Sequence, residues 1–282
     1  MTTNRHHTRL TTTTMLLASL ILTLTGTPAQ QPPSPAMPAR TIAAAAHIPA
    51  ATLTAHGRAT ITTTSGQDEQ ERDQPALTYN QALRLMHTVT PGLVDIATTL
   101  AGGDGKAGTG ITLTSSGVIM TNYHVISGAT ALSVHDLGNG LDYGARIVGV
   151  DKVHDIAVLA LDGATHLRTA RLGGRVSIGE VVASIGNAGG LGDPSLGAGP
   201  VVALHQAITS TTGQARPLTG LIEATNGVEP GESGGPLVTA SGAVVGMTVA
   251  TQLDEAGNPN GHGYAIPLSV VMAAVHRILA AT

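Results

Sequence analysis

The feature that most constrains this chain is a series of about a dozen short apolar runs, each followed by a glycine-containing or polar turn. The runs are LVDIATTL, GITLT, GVIMTN, ALSVHD, ARIVGV, DIAVLALD, EVVASIG, VVALHQAIT, LIEAT, PLVTA, AVVGMTV and GYAIP. Parallel strands joined by helices would need helical patterns of about 10 to 15 residues between the runs, and the sequence has none there. The spacing therefore predicts an all-β fold built as antiparallel barrels or a sandwich.

Turns and flanking helices complete the predicted order. Residues 114–117 (TSSG) and 239–242 (TASG) each join two runs closely enough to form a hairpin, and residues 138–140 (GNG) form another turn. A helical stretch over 77–89 should end before Pro91, and a last segment, 267–282, has helical apolar spacing and opens with Pro267.

The composition restricts what the core and the partners can be. The chain has no Cys, no Phe, no Trp and only four Tyr among 282 residues, so Val, Ile, Leu and Ala must fill the interior without disulfides. The formal net charge is -4 and no basic cluster stands out, which argues against a nucleic-acid binder. His154 has no second ligand at a zinc-like spacing, so we expect neither a metal nor a cofactor.

The N-terminal region has the layout of an export signal followed by a spacer. Arg5 and Arg9 precede an apolar stretch, 15–24, and small residues end at Ala29, where a cleavage site fits. The stretch is shorter than the roughly 20 residues of a membrane span. We expect a signal peptide over 1–29 and a Pro-, Ala- and Thr-rich spacer or pro-segment over 30–76, before a domain over 77–282. An uncleaved anchor is the alternative.

Ser233 lies in PGESGGPL, which fits two classes of hydrolase. The G-x-S-x-G of an esterase elbow is present, and so is the GxSGGP of trypsin-fold proteases. An esterase places its Asp and His after the serine on further strand and helix units, but only 49 residues follow Ser233. A third interpretation, a glycine turn without catalytic function, stays open.

If the histidine and the aspartate come before the serine in the chain, each catalytic role has a candidate residue. His124 in TNYHV and Asp155 at the head of IAVLAL precede Ser233 by 109 and 78 residues. Ser233 would be the nucleophile, His124 its general base and Asp155 the acceptor that orients the imidazole. The amides of Gly231 and Ser233 would stabilise the oxyanion.

These stretches resemble the chymotrypsin-fold serine proteases, and most closely the HtrA-type (Deg) branch. The resemblance rests on GTGITLTSSGVIMTNYHVISGA, RIVGVDKVHDIAVLAL, SIGNAGGLG, GVEPGESGGPLVTASGAVVGM and GHGYAIPLSVV, which occur in the family's order. It implies two antiparallel six-stranded β-barrels with a C-terminal helix, a triad in the cleft between the barrels, and polypeptide substrates.

Three departures from the family pattern bear on function. Glu232 stands where the HtrA-type branch usually has Asn, and it would disfavour an oxyanion if it pointed inward unpaired. We expect the domain to lack the PDZ module that family members carry after the terminal helix. Aromatic residues that often support trimer contacts in the family are missing. The sequence is therefore compatible with a monomer, and it does not determine the oligomeric state.

Specificity is weakly encoded. Six residues before the serine, where trypsin-like enzymes carry an acid, stands Gly227, which argues against a basic P1 residue. By the resemblance, Met247, Thr248 and Val249 would border the pocket, which favours a small or medium apolar P1.

The sequence thus predicts a secreted or extracytoplasmic serine endopeptidase acting on unfolded or misfolded proteins. The alternative is a catalytically silent protease-fold module that binds peptides.

Overall fold

A computed structural model describes Ile21–Leu22 and residues 77–101, 104–190, 192–209, 217–253 and 259–282. Ile21–Leu22 forms a two-residue strand, β1, which pairs in parallel with Thr251 and Gln252. The rest of the predicted signal peptide and the spacer over 30–76 lie outside the described residues. Over the ranges given, no helix is long and apolar enough to cross a membrane.

The first helix, α1, covers Tyr79–Val89. Thr78 begins it with a reciprocal cap, because its hydroxyl accepts from the Gln81 amide while the Gln81 side chain accepts from the Thr78 amide. A single 3₁₀ turn, Thr90–Gly92, follows and contains Pro91. The helix therefore starts two residues later than the sequence predicts, since Thr78 serves as its cap.

The first barrel is closed and has six strands, in the order β2-β3-β4-β7-β6-β5. The strands are β2 Leu93–Leu100, β3 Gly105–Thr112, β4 Val118–Asn122, β5 Ala129–Asp136, β6 Asp142–Asp151 and β7 Ile156–Leu161. A one-turn helix, α2, spans Tyr123–Ile126 between β4 and β5. Aliphatic side chains fill the interior, among them Val94, Ile96, Ile119, Val134 and Leu159.

The second barrel closes because β12 pairs with β13 as well as with β11. Its strands are β8 Val181–Gly186, β9 Ser195–Ile208, β10 Leu218–Ala224, β11 Pro236–Thr239, β12 Val244–Leu253 and β13 Pro259–Pro267. The last helix, α3, covers Leu268–Ala280, with Pro267 as its cap.

Both barrels and both long helices share one apolar cluster. It joins Leu93 and Met120 of the first barrel to Ile185 and Met247 of the second, with Val271 of α3 buried among them. The predicted double barrel with a C-terminal helix is thereby confirmed, and the cleft between the barrels is the place where β3, α2 and the β10–β11 connection meet.

Candidate active site

Asp155 holds the start of α2 with both its side chain and its backbone. It is fully buried, in a left-handed backbone conformation with φ of 56°. Its Oδ1 accepts from the His124 amide at 2.9 Å and its Oδ2 lies 2.6 Å from His124 Nδ1. Its carbonyl accepts from the Tyr123 amide and from Asn122 Nδ2. The one-turn helix thus begins on Asp155, which fixes both the backbone and the ring of His124.

The second ring nitrogen of His124 has no partner. The side chain is 11% exposed, and Nε2 is buried without a hydrogen-bond partner among the described residues. Because the carboxylate engages Nδ1, Nε2 is the nitrogen that can exchange a proton with a neighbouring group. The tautomer with hydrogen on Nδ1 follows from this hydrogen bond.

Ser233 lies in a tight turn, residues 229–235, which we call the serine turn. Gly231 and Gly234 both have positive φ, 99° and 87°. A methyl group on Gly234 would overlap the Thr109 carbonyl and Thr121 Oγ1, so only glycine fits against the first barrel there. The Thr109 amide donates to the Ser233 carbonyl at 2.9 Å. The serine turn therefore packs against the strands that lead to His124.

The structure brings His124 and Asp155 into a hydrogen-bonded pair and packs the serine turn beside them. Within the part of the chain that is described, no hydrogen bond joins Ser233 to His124 Nε2. Catalytic hydrogen bonds are often long without substrate and tighten only in the complex. The arrangement can thus perform proton transfer once Ser233 Oγ and Nε2 approach each other.

The amides of Gly231 and Ser233 are oriented by hydrogen bonds to the carbonyls of the same two peptide groups. A trans peptide points its N–H and C=O in opposite directions. The Pro230 carbonyl accepts from the Gly189 amide at 2.7 Å, and the Glu232 carbonyl accepts from the Gly235 amide at 2.9 Å. Neither the Gly231 nor the Ser233 amide has an acceptor among the described residues. Two fixed, unoccupied donors are what an oxyanion requires.

Thr109 connects the serine turn to the loop over 187–190. Its hydroxyl donates to the Gly231 carbonyl at 3.0 Å and accepts from the Asn187 amide at 2.9 Å, and all three groups are buried. Sequence reasoning missed Thr109, because its partner Gly231 lies 122 residues away in the chain.

The Glu232 carboxyl bonds Ser195 and the Glu229 amide, and it accepts from neither the Gly231 nor the Ser233 amide in the described structure. It is 1% exposed, and Oε1 accepts from the Ser195 hydroxyl at 2.6 Å while Oε2 accepts from the Glu229 amide at 3.3 Å. Burial raises the pKa of Glu232 to about 8, although both hydrogen bonds act to lower it. Glu232 is therefore a buried group with hydrogen-bond partners of its own. Ser195, its main partner, was also missed in the sequence.

A second buried carboxyl, Asp95, lies behind Thr109, its cross-strand neighbour on β3. Asp95 is 7% exposed, and neither carboxyl oxygen has a hydrogen-bond partner among the described residues. Burial raises the pKa of Asp95 to about 7, with His135 opposing the rise and Asp193 adding to it. Such a group favours its neutral form in the folded state.

The four residues predicted for the pocket take three different positions. Gly227 has φ of 60° and its amide donates to the Gly261 carbonyl. Met247 and Val249 are fully buried in the apolar cluster between the barrels. Thr248 faces the other way. Its amide donates to the Gly235 carbonyl, and its carbonyl accepts from the Gly234 amide, both in the serine turn. Thr248 is thus the one that touches the turn.

Nearby polar groups line the interior of the second barrel. Asn226 Nδ2 donates to Ser184 Oγ at 2.6 Å, and Ser184 Oγ lies 3.2 Å from Thr248 Oγ1. Asn226 Oδ1 is buried without a partner in the described part of the chain. Over that same part, no group of three or more His, Asp or Glu could hold a metal ion.

Comparison with known proteins relates this geometry to a family. Residues 108–247 match the trypsin-like peptidase domain. Over 176 residues the chain is 35% identical to Protease Do-like 1, chloroplastic, of Arabidopsis thaliana, covering 61% of this chain and 39% of that protein. It is 34% identical over 167 residues to a probable periplasmic serine endoprotease DegP-like of Halomonas elongata, covering 58% and 33%.

A solved structure shares the fold. The HtrA-type protease AlgW with tripeptide superposes with a TM-score of 0.62 at 27% identity, covering 72% of this chain and 64% of that one. The chain spans between one third and two fifths of the length of the two curated relatives named above. Fold, motif order and the matched domain agree on a trypsin-like double barrel.

Proposed function

We propose that this chain is a serine endopeptidase of the HtrA type, in which His124, Asp155 and Ser233 carry out hydrolysis. The observation that carries the proposal is the pairing of His124 Nδ1 with Asp155, which leaves Nε2 buried and without a partner among the described residues. The free amides of Gly231 and Ser233 support it, as do the serine endoproteases among the relatives.

The reaction follows from these positions. Ser233 Oγ attacks the scissile carbonyl carbon while Nε2 of His124 takes the hydroxyl proton. The carbonyl oxygen becomes an oxyanion that the amides of Gly231 and Ser233 stabilise, each such donor contributing about 2.7 to 4 kcal/mol. Nε2 then protonates the leaving amine as the C–N bond breaks, and an acyl-enzyme remains.

Water completes the cycle by the same route in reverse. It attacks the acyl carbon and gives a proton to Nε2, and the intermediate collapses to release the carboxylic product while Ser233 recovers its proton. Asp155 keeps its hydrogen bond with His124 Nδ1 and stabilises the imidazolium in both halves of the reaction. No metal or cofactor enters any of these steps.

The substrates we infer are extended polypeptides, such as unfolded or misfolded proteins, with a small or medium apolar P1 residue. Gly227 supplies no charge to attract a basic P1 side chain, and the nearby polar groups Asn226 and Ser184 are already bonded to each other. AlgW, the structural neighbour, was solved with a tripeptide. Thr248, whose backbone bonds the serine turn, is proposed to shape the pocket from the β12 side, while its neighbours Met247 and Val249 are buried in the apolar cluster.

Export is the second part of the proposal. The basic start and apolar stretch of residues 1–29 support a secreted or extracytoplasmic location, and one relative is described as periplasmic. Limited proteolysis of the exported form should trim residues 30–76 and leave a stable fragment that begins near Leu77. Loss of the whole fold on trimming would instead identify that segment as necessary for folding.

The test of the activity is covalent labelling with a fluorophosphonate probe, combined with digestion of unfolded casein. We expect labelling at Ser233 and cleavage that Ser233→Ala and His124→Ala both abolish. Ser241→Ala is the matched control, because it removes a hydroxyl from an exposed hairpin turn. A parent protein that binds casein peptides but neither labels nor cleaves would contradict the proposal and favour the silent peptide-binding module.

A further inference from the structure

Lys106 reaches the helix that carries His124. It lies on β3, and its Nζ donates to the His124 carbonyl at 3.0 Å and to the Ser127 carbonyl at 2.9 Å. Ser127 is the residue that ends α2. Lys106 is one of only two lysines in the chain, and the other, Lys152, is exposed. No motif points to Lys106, because its partners follow it by 18 and 21 residues.

A one-turn helix needs such a partner at its C-terminal end. The last four carbonyls of any helix have no acceptor role within the helix, and α2 has only four residues, so its own backbone cannot hold these groups. The ammonium supplies two donors. The base of the lysine is itself fixed, because its amide donates to Thr98 Oγ1 at 3.0 Å on the adjacent strand.

Charge at the two ends of α2 is complementary. Asp155 lies at the N-terminal end, where a negative charge is favourable, and Lys106 at the C-terminal end, where a positive charge is. Burial lowers the pKa of Lys106, while the nearby Tyr123 and Asp155 raise it. The titratable groups near this ammonium are thus Tyr123 and Asp155, and its two acceptors are the carbonyls of His124 and Ser127.

We propose that Lys106 is a positioning residue for His124, which it holds at the correct distance from the serine turn through two hydrogen bonds to the α2 backbone. This inference rests on the proposed function. In the same geometry its positive charge lies near the buried carboxylate of Asp155.

The substitution Lys106→Met tests this role, with Arg84→Met, which removes an exposed cation on α1, as the control. We expect Lys106→Met to lower the rate of fluorophosphonate labelling and kcat on casein peptides about 10-fold to 100-fold, with KM within about twofold of the parent. Lys106→Arg, which keeps the charge and the donors, should recover most of the rate. Arg84→Met should match the parent.

A measurement that does not require activity separates this inference from the proposed function. The NMR signals of the His124 ring and amide, recorded in the Ser233→Ala background, should shift in Lys106→Met, because two hydrogen bonds that hold the α2 backbone are lost. If the parent is inactive but this shift occurs, the proposed function fails and the positioning role stands. An active parent whose Lys106→Met variant keeps both its labelling rate and its His124 NMR signals would overturn the inference. Should Lys106→Met not fold, Lys106→Gln is compared in the same two assays.

Discussion

Replacing Asp95 by Asn should change how the stability of this protein depends on pH. The carboxyl is buried on β2 without a hydrogen-bond partner in the described structure, and burial raises its pKa to about 7 from an ordinary 3.8. Between these two values the folded state holds a proton that the unfolded state has released. The free energy of unfolding therefore falls as pH rises across that window.

The size of this effect follows from the two values. At 1.36 kcal/mol for each pH unit, the difference between 3.8 and about 7 amounts to about 4 kcal/mol. This contribution is absent in Asp95→Asn, whose amide cannot ionise. Relative to the parent, the variant should thus gain about 4 kcal/mol between pH 4 and pH 8, whatever constant penalty its own unpaired amide adds.

Urea unfolding from pH 4 to pH 8 measures this quantity, in the Ser233→Ala background to prevent self-digestion. The difference between variant and parent is taken at each pH, so that other titrating groups, including Glu232, cancel. Asp104→Asn makes the same chemical change at an exposed position and provides the control. A difference that stays constant within about 1 kcal/mol over this range would refute the assignment of Asp95 as a desolvated, unpaired carboxyl.

Three further predictions concern the serine turn. Thr109→Val removes the bond to the Gly231 carbonyl, and we expect a fall in kcat of about 10-fold or more from the loosened turn, measured by casein digestion; unchanged kcat would contradict the role. Gly234→Ala should lower the free energy of unfolding, measured with urea, by more than about 3 kcal/mol, because its methyl group overlaps backbone atoms. Gly140→Ala is also at positive φ but has open space around it, so it should lower the free energy of unfolding by only about 1 to 2 kcal/mol. Equal losses in the two variants would argue against close packing of the turn. Because the pKa of Glu232 is raised to about 8, its contribution to the free energy of unfolding falls as pH rises from about 4.5 to 8. Glu232→Gln should remove that fall in the same unfolding assay. If the free energy of unfolding of the variant depends on pH as steeply as that of the parent, the carboxyl is not desolvated.

All twelve apolar runs in the sequence are strands in the structure, because turn glycines and β-type apolar patterns are local signals. Strand starts were harder to predict. β3 begins five residues before the run GITLT, and β9 begins six residues before VVALHQAIT. These extensions are rich in glycine, which suggests a loop, but Gly108 lies against Val125, and Gly197 lies against the Asn226 carbonyl. Glycine is required there by close approach of other parts of the chain.

The site was predictable in its residue types and not in its supports. Chain order and motif context identified His124, Asp155 and Ser233 as candidates, since each stands in a distinctive short stretch. The direction of Glu232 depends on Ser195, 37 residues away, and the turn depends on Thr109 across the barrel interface. No local pattern encodes contacts of this kind, because they arise only when two barrels pack together.

The candidate active site is divided between the two barrels, so the proposed hydrolysis depends on their assembly. His124 and Asp155 belong to the first barrel and Ser233 to the second, and the connection between them, residues 162–180, contributes none of the three. If the proposed triad is correct, neither half has a complete path for the proton, so each is chemically silent alone. If the chain were divided within that connection, we would expect peptide cleavage only when the two fragments associate.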